Sequence, residues 1–134
     1  MKNRVVHFEI QVVDADRATK FYKDVFGWDF MKWEGSPTPY YMVMTAEKES
    51  KEPGINGGLL LRPSGAPPVN GAAVNAYVCT VQVDSIDDTI KKIETAGGTL
   101  ALAKMAIPGM AWQAYYKDTE GNIFGVHEAD TNAK

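Results

Sequence analysis

A chain of 134 residues with 45% hydrophobic side chains is long enough to bury one compact core and too short for two ordinary independent domains. Its net charge of −3, with Lys and Arg scattered rather than clustered, argues against nucleic acid and anionic membranes as partners. No apolar run approaches the roughly 20 residues of a membrane span, and Met1 to Arg4 leads straight into a strand without a signal-peptide core, so the expected compartment is the cytoplasm.

Residues 4 to 13 alternate apolar Val6, Phe8, Ile10 and Val12 with polar His7, Glu9 and Gln11, the pattern of a strand with one packed and one open face. Asp14 or Asp16 is placed to cap a helix over 15–26, where Ala18, Phe21, Tyr22 and Val25 fall at helical spacing and Gly27 stops it. Strands are expected near 28–34 and 39–46, separated by Gly35-Ser36-Pro37, with a shorter one over 55–61. The Pro- and Gly-rich stretch from Arg62 to Gly71 fits neither regular structure and reads as a linker, about 62–73.

The second half opens with a strand at Ala76. Cys79, the only cysteine, cannot form an internal disulfide; it alternates onto the apolar face with Tyr77, Val81 and Val83, which predicts a buried structural thiol rather than a nucleophile. Ser85 and Asp88 have capping-box spacing and start a helix whose stripe is Ile86, Ile90 and Ile93. Strands near 99–104, 110–117 and 122–128 follow, the last two joined by the turn Asp118-Thr119-Glu120-Gly121.

The second half repeats the first at an offset of 71: His7 falls on Val78, Gln11-Val12 on Gln82-Val83, Asp16 on Asp87, Lys20 on Lys91 and Gly27 on Gly98. Each half therefore reads strand, helix, strand, strand, strand. The expected fold is α+β, with two βαβββ modules (about 4–62 and 74–129) sharing one core, helices outside, and a curved mixed sheet around a common cleft.

His7-Phe8-Glu9-Ile10, the helix Arg17 to Trp28 and the turn Asp118-Thr119-Glu120-Gly121-Asn122 resemble the vicinal oxygen chelate superfamily, which includes glyoxalase I, extradiol dioxygenases, and bleomycin and fosfomycin resistance proteins. The resemblance spans essentially the whole chain, residues 1–134 as a single glyoxalase-like domain, with Thr119 where the family turn usually has Pro. It implies that metal-dependent members hold a divalent ion with His and Glu side chains on the first and fourth strands of both modules. In this chain those positions are His7, Val78, Gly58 and Gly125, so one ligand remains. A residual metal set would have to recruit Glu9 and His127 to His7.

The open strand faces define the candidate site. His7, Glu9 and Gln11 of one module are expected to face Val78, Thr80 and Gln82 of the other, over a floor widened by Gly58 and Gly125. Trp112 is counted with them as ligand-binding, although alternation alone does not say whether Trp112, Ala114 and Tyr116 or Gln113 and Tyr115 face the cleft. The expected function is binding of a small molecule with an apolar or aromatic part and a polar handle, without cofactor or metal. The alternative is a lyase, isomerase or dioxygenase of the same superfamily, either with an altered metal set or with His7 and Glu9 as catalytic acid and base. A protein-binding module is a third reading and needs an exposed apolar patch. The resemblance and the need to cover sheet edges lead to an expected homodimer.

Overall fold

The computed structural model describes residues 3–75 and 77–134; the expectations placed on Met1-Lys2 and on Ala76 fall outside the described residues. In chain order the elements are β1 (Arg4–Val12), α1 (Ala15–Phe26), β2 (Asp29–Lys32), β3 (Tyr40–Met44), β4 (Gly57–Leu61), β5 (Val78–Gln82), α2 (Ile86–Thr95), β6 (Thr99–Ile107), β7 (Ala111–Lys117) and β8 (Ile123–Ala129). This is an α+β fold of two βαβββ modules. The chain divides into two compact units, one of residues His7–Tyr77 and one of Val78–Lys134 together with the residues up to Val6.

In the unit His7–Tyr77 the strands run in the order β2-β3-β4-β1. β1 lies parallel to β4 with Phe8 opposite Gly57 and Val12 opposite Leu61, and the other pairs are antiparallel. Asp14 caps α1 by accepting the Arg17 N–H at 3.0 Å, and Gly27 ends it at φ 72°, a left-handed conformation that glycine adopts without penalty. The alternation of β1 sends Phe8 and Ile10 to the helix side, where they pack with Val43 and Leu59 under Ala15, Ala18 and Tyr22. Burying each large side chain there contributes about 1.5–3 kcal/mol. His7, Glu9 and Gln11 are thereby turned to the opposite face.

The unit containing Val78–Lys134 has the order β5-β8-β7-β6, with β5 parallel to β8 and the rest antiparallel. Ser85 caps α2 by accepting the Asp88 N–H, and the Glu128 carboxylate reaches across from β8 to take the Ile86 N–H at 2.8 Å. Ile86, Ile90 and Ile93 pack with Val83, Ala114, Tyr116 and Val126. Asp118 accepts the N–H groups of Glu120 and Asn122, closing the turn between β7 and β8.

The expected buried thiol is a correction: Cys79 is exposed. Val81 and Val83, on the same strand face, join the apolar cluster, but Cys79 belongs to neither that cluster nor the other. The isoleucine stripe of α2 packs in one cluster with Val81 and Val83, and Cys79 lies outside it. Among the described residues, no helix is long and apolar enough to cross a membrane.

Candidate functional site

The open face of the unit His7–Tyr77 carries a connected polar group. Strand alternation and register put His7, Glu9 and Gln11 of β1 on one side with Gly58 of β4, Tyr40 and Met42 of β3, and Met31 of β2. His7 Nε2 lies 3.0 Å from the Tyr40 hydroxyl, and that hydroxyl is also hydrogen-bonded to the Glu9 side chain. A carboxylate can only accept, so the phenol donates to Glu9 and the His7 Nε2–H donates to the phenol oxygen. With the carboxylate ionised, this direction of donation corresponds to the His7 tautomer protonated on Nε2.

The electrostatics agree with that arrangement. Burial raises the Tyr40 hydroxyl well above the ordinary tyrosine range, and the charge of Glu9 and its hydrogen bond raise it further. Tyr40 is thus a fixed donor. Burial lowers His7 below its ordinary value, partly opposed by the charge of Glu9, so its imidazole is neutral at neutral pH. Glu9 itself is buried at 7% exposure, a position that a carboxylate holds only with partners.

Gly58 does not widen this face as expected. A Cβ built on Gly58 would run into the Tyr40 hydroxyl, so the tyrosine tip fills the space the missing side chain leaves. That is a correction with a bearing on metal. The resemblance puts a fourth-strand carboxylate at Gly58, and the donor now standing there is a protonated phenol already engaged by His7 and Glu9. Of the two positions in this unit where the resemblance puts metal ligands, His7 alone carries a side-chain donor. Among the described residues, no three His, Cys, Asp or Glu side chains gather where they could hold an ion.

The unit containing Val78–Lys134 has its own polar group on the face away from α2. Thr80 of β5 pairs with Gly125 of β8, which pairs in turn with Tyr115 of β7, and Gln113 pairs with His127. Gln113 Oε1 faces His127 Nδ1 at 2.8 Å. The space above Gly125 is bounded by Thr80 Oγ1, Gln113 Nε2 and Tyr115, so it too is less open than expected. Val78 is buried hydrocarbon, at 3% exposure, and offers no donor.

The remaining candidates divide. Gln11 and Gln82 are half-buried; the Gln11 carbonyl accepts from the Arg62 guanidinium at 3.0 Å, and the Gln82 carbonyl from the Asn3 N–H at 2.8 Å. Trp112 is on the helix side with Ala114 and Tyr116, packed against the apolar cluster. Its Nε1–H donates to Asp130 at 3.1 Å, and the Lys104 ammonium sits 4.6 Å over its ring. A groove of about 480 Å³ lined by Val13, Arg17, Pro39, Tyr41 and Leu61 includes none of the candidates.

Tyr40 and Gln113 are the two members that sequence reasoning missed as site residues. Tyr40 stands beside Tyr41 in the sequence, and nothing local distinguishes the two. Gln113 had a usable signal, being the one polar residue in Ala111-Trp112-Gln113-Ala114-Tyr115-Tyr116, where a buried amide calls for a partner.

Residues 4–36 match the family model of bleomycin resistance protein-like N-terminal regions. CFP32, a protein named as a glyoxylase, in Mycobacterium bovis and Mycobacterium tuberculosis, is 25% identical over 126 residues, which is 91% of this chain and 44% of the relative. The chain thus spans less than half the length of these curated relatives. A hypothetical protein of Bacillus halodurans superposes with a TM-score of 0.65 at 15% identity, covering 100% of this chain and 99% of the other. A Streptomyces coelicolor methylmalonyl-CoA epimerase in complex with 2-nitronate-propionyl-CoA gives 0.61 at 14% identity, with 96% and 98% covered. The Mycobacterium tuberculosis methylmalonyl-CoA epimerase gives 0.60 at 15%, with 94% and 87% covered.

Proposed function

From a chain that belongs by fold to the vicinal oxygen chelate superfamily, we propose a protein that binds a small molecule without a divalent metal. The observation that carries this reading is the chain Glu9, Tyr40, His7, which stands where metal donors are expected and is internally satisfied. The ligand has a polar handle, met by His7, and an apolar or aromatic part. Met31 and Met42, on the same face and 58% and 45% exposed, supply an adaptable surface for that part, with Trp33 set edge-on to Tyr40 at 6.0 Å. That solved neighbours of this fold hold coenzyme A derivatives supports small-molecule binding.

A second reading is an enzyme of acid–base type, favoured by the lowered His7 and its Nε2-protonated tautomer, which leaves Nδ1 as the basic atom. In that reading His7 is the base and Tyr40 and Glu9 hold its ring. A homodimer and a cytoplasmic location belong to the same proposal. The dimer is supported by β6, a nine-residue strand at the end of its unit's sheet, exposed along most of its length and carrying Leu100, Leu102 and Met105. A monomer at micromolar concentration in sedimentation would count against it.

The deciding experiment is elemental analysis of purified protein together with a calorimetric ligand screen. The expected result is no stoichiometric divalent ion, ligand binding that a chelator does not change, and binding weakened by Tyr40→Phe. One tightly bound nickel, zinc, iron or manganese per chain, lost on His7→Ala, would overturn the proposal.

A further inference from the structure

Thr80 is 2% exposed, and its Oγ1 has no hydrogen-bond partner among the described residues. A buried hydroxyl in that condition is costly and rare in folded chains, so its surroundings indicate what it serves. It lies 2.7 Å from the point where a Cβ on Gly125 would stand, and Gln113 Nε2 lies 2.8 Å from the same point. Gln113 is itself 6% exposed. Its Oε1 faces His127 Nδ1 at 2.8 Å, and with Nδ1 protonated that contact keeps the amide nitrogen toward Gly125. Two polar tips therefore converge from β5 and β7 over a backbone that has no side chain, with the Tyr115 ring 3.1 Å from the same point.

We propose that, within the unit containing Val78–Lys134, Thr80 Oγ1 and Gln113 Nε2 form a two-donor site over Gly125 for one acceptor oxygen of a small molecule, a carboxylate or carbonyl oxygen. An amide nitrogen can only donate, so an atom that touches both groups must be an acceptor, and the hydroxyl turns its hydrogen to the same atom. Glycine is needed at 125 because any Cβ would occupy the oxygen's place. His127 is a positioning residue: it selects which end of the Gln113 amide faces the site.

The inference rests on the reading of the chain as a small-molecule binder, but its first test does not. Thr80→Val removes the hydroxyl and keeps the shape, so the ligand-free protein should melt a few degrees higher, because an unpaired buried donor has gone. A lower melting temperature would overturn the proposal, since it would mean that the hydroxyl is already satisfied as part of the fold. The second test uses phenylpyruvate and phenylacetamide as probes, read by the side-chain amide resonance of Gln113. A saturable shift is expected, about tenfold weaker in Thr80→Val and restored in Thr80→Ser. A shift with both probes assigns a carbonyl oxygen, and one with phenylpyruvate alone assigns a carboxylate. A Gln113 resonance that moves with neither probe, or equally in Thr80→Val, would overturn the site while leaving the Tyr40 reading to its own test.

Discussion

The hydroxyl of Tyr40 occupies the space that a side chain on Gly58 would need. The neighbouring glycine is constrained differently: a Cβ on Gly57 would meet the backbone oxygen of Phe8 at 2.5 Å and its ring at 2.7 Å. Backbone cannot move aside as a side-chain tip can. Gly57→Ala should therefore cost about 1–3 kcal/mol, measured by denaturant unfolding, whereas Gly58→Ala should cost less but detach Tyr40 from His7 and Glu9. A Gly58→Ala protein whose His7 ring still titrates as in the parent would contradict this placement of Tyr40.

Acidification gives a second test. Burial holds His7 below its ordinary pKa of 6.5 in the folded protein. The unfolded chain then takes up the proton first. The contribution of neutral His7 to stability is complete above about pH 6.5, declines as pH falls below that value, and is lost once pH has fallen through the folded pKa. Comparing parent with His7→Gln over this range isolates the effect from carboxylate titration. Because the charge of Glu9 raises His7, Glu9→Gln should lower the His7 pKa further, as read by its ring proton resonances. An upward move would show that the two groups do not interact as described.

What was legible from the residues alone is local. Asp14 and Gly27 bound α1 as expected because capping and left-handed termination depend on a few adjacent atoms. The open face of β1 followed from alternation of His7, Glu9 and Gln11 with Phe8 and Ile10. The partner of His7 was not legible, because choosing Tyr40 over Tyr41 depends on the register of β3 against β4, where Tyr40 pairs with Leu60 and Met42 with Gly58. The side taken by Trp112 was hidden for a similar reason. It is decided by which face of β7 α2 covers, a long-range choice that alternation leaves open.

Cys79 offers a third, simple measurement. The residue is exposed, so the native protein should react fully with a bulky disulfide reagent at a rate near that of the unfolded chain. A thiol that reacts only after denaturation would restore the buried assignment that strand alternation suggested.

The last prediction separates the two faces of the sheets. Trp112 packs against the α2 cluster, donates to Asp130 and lies under Lys104, which also pairs with Asp87 at 2.9 Å. Its removal takes a partly buried indole out of that cluster, while Asp130 keeps the Asn132 N–H, so Trp112→Ala should cost about 3 kcal/mol, the low end for a large aromatic. Ligand affinity in the protein that remains folded should be unchanged. Tyr40→Phe should behave in the opposite sense, with a loss of stability no greater than that, about 1.5–3 kcal/mol for a hydrogen bond to a charged group, and a marked loss of affinity. Urea unfolding and calorimetric titration on the same two variants make the comparison. If Trp112→Ala abolishes binding at a urea concentration where it is still folded, the ligand meets the helix side of β7, and the assignment of the binding face to His7, Glu9 and Tyr40 is wrong.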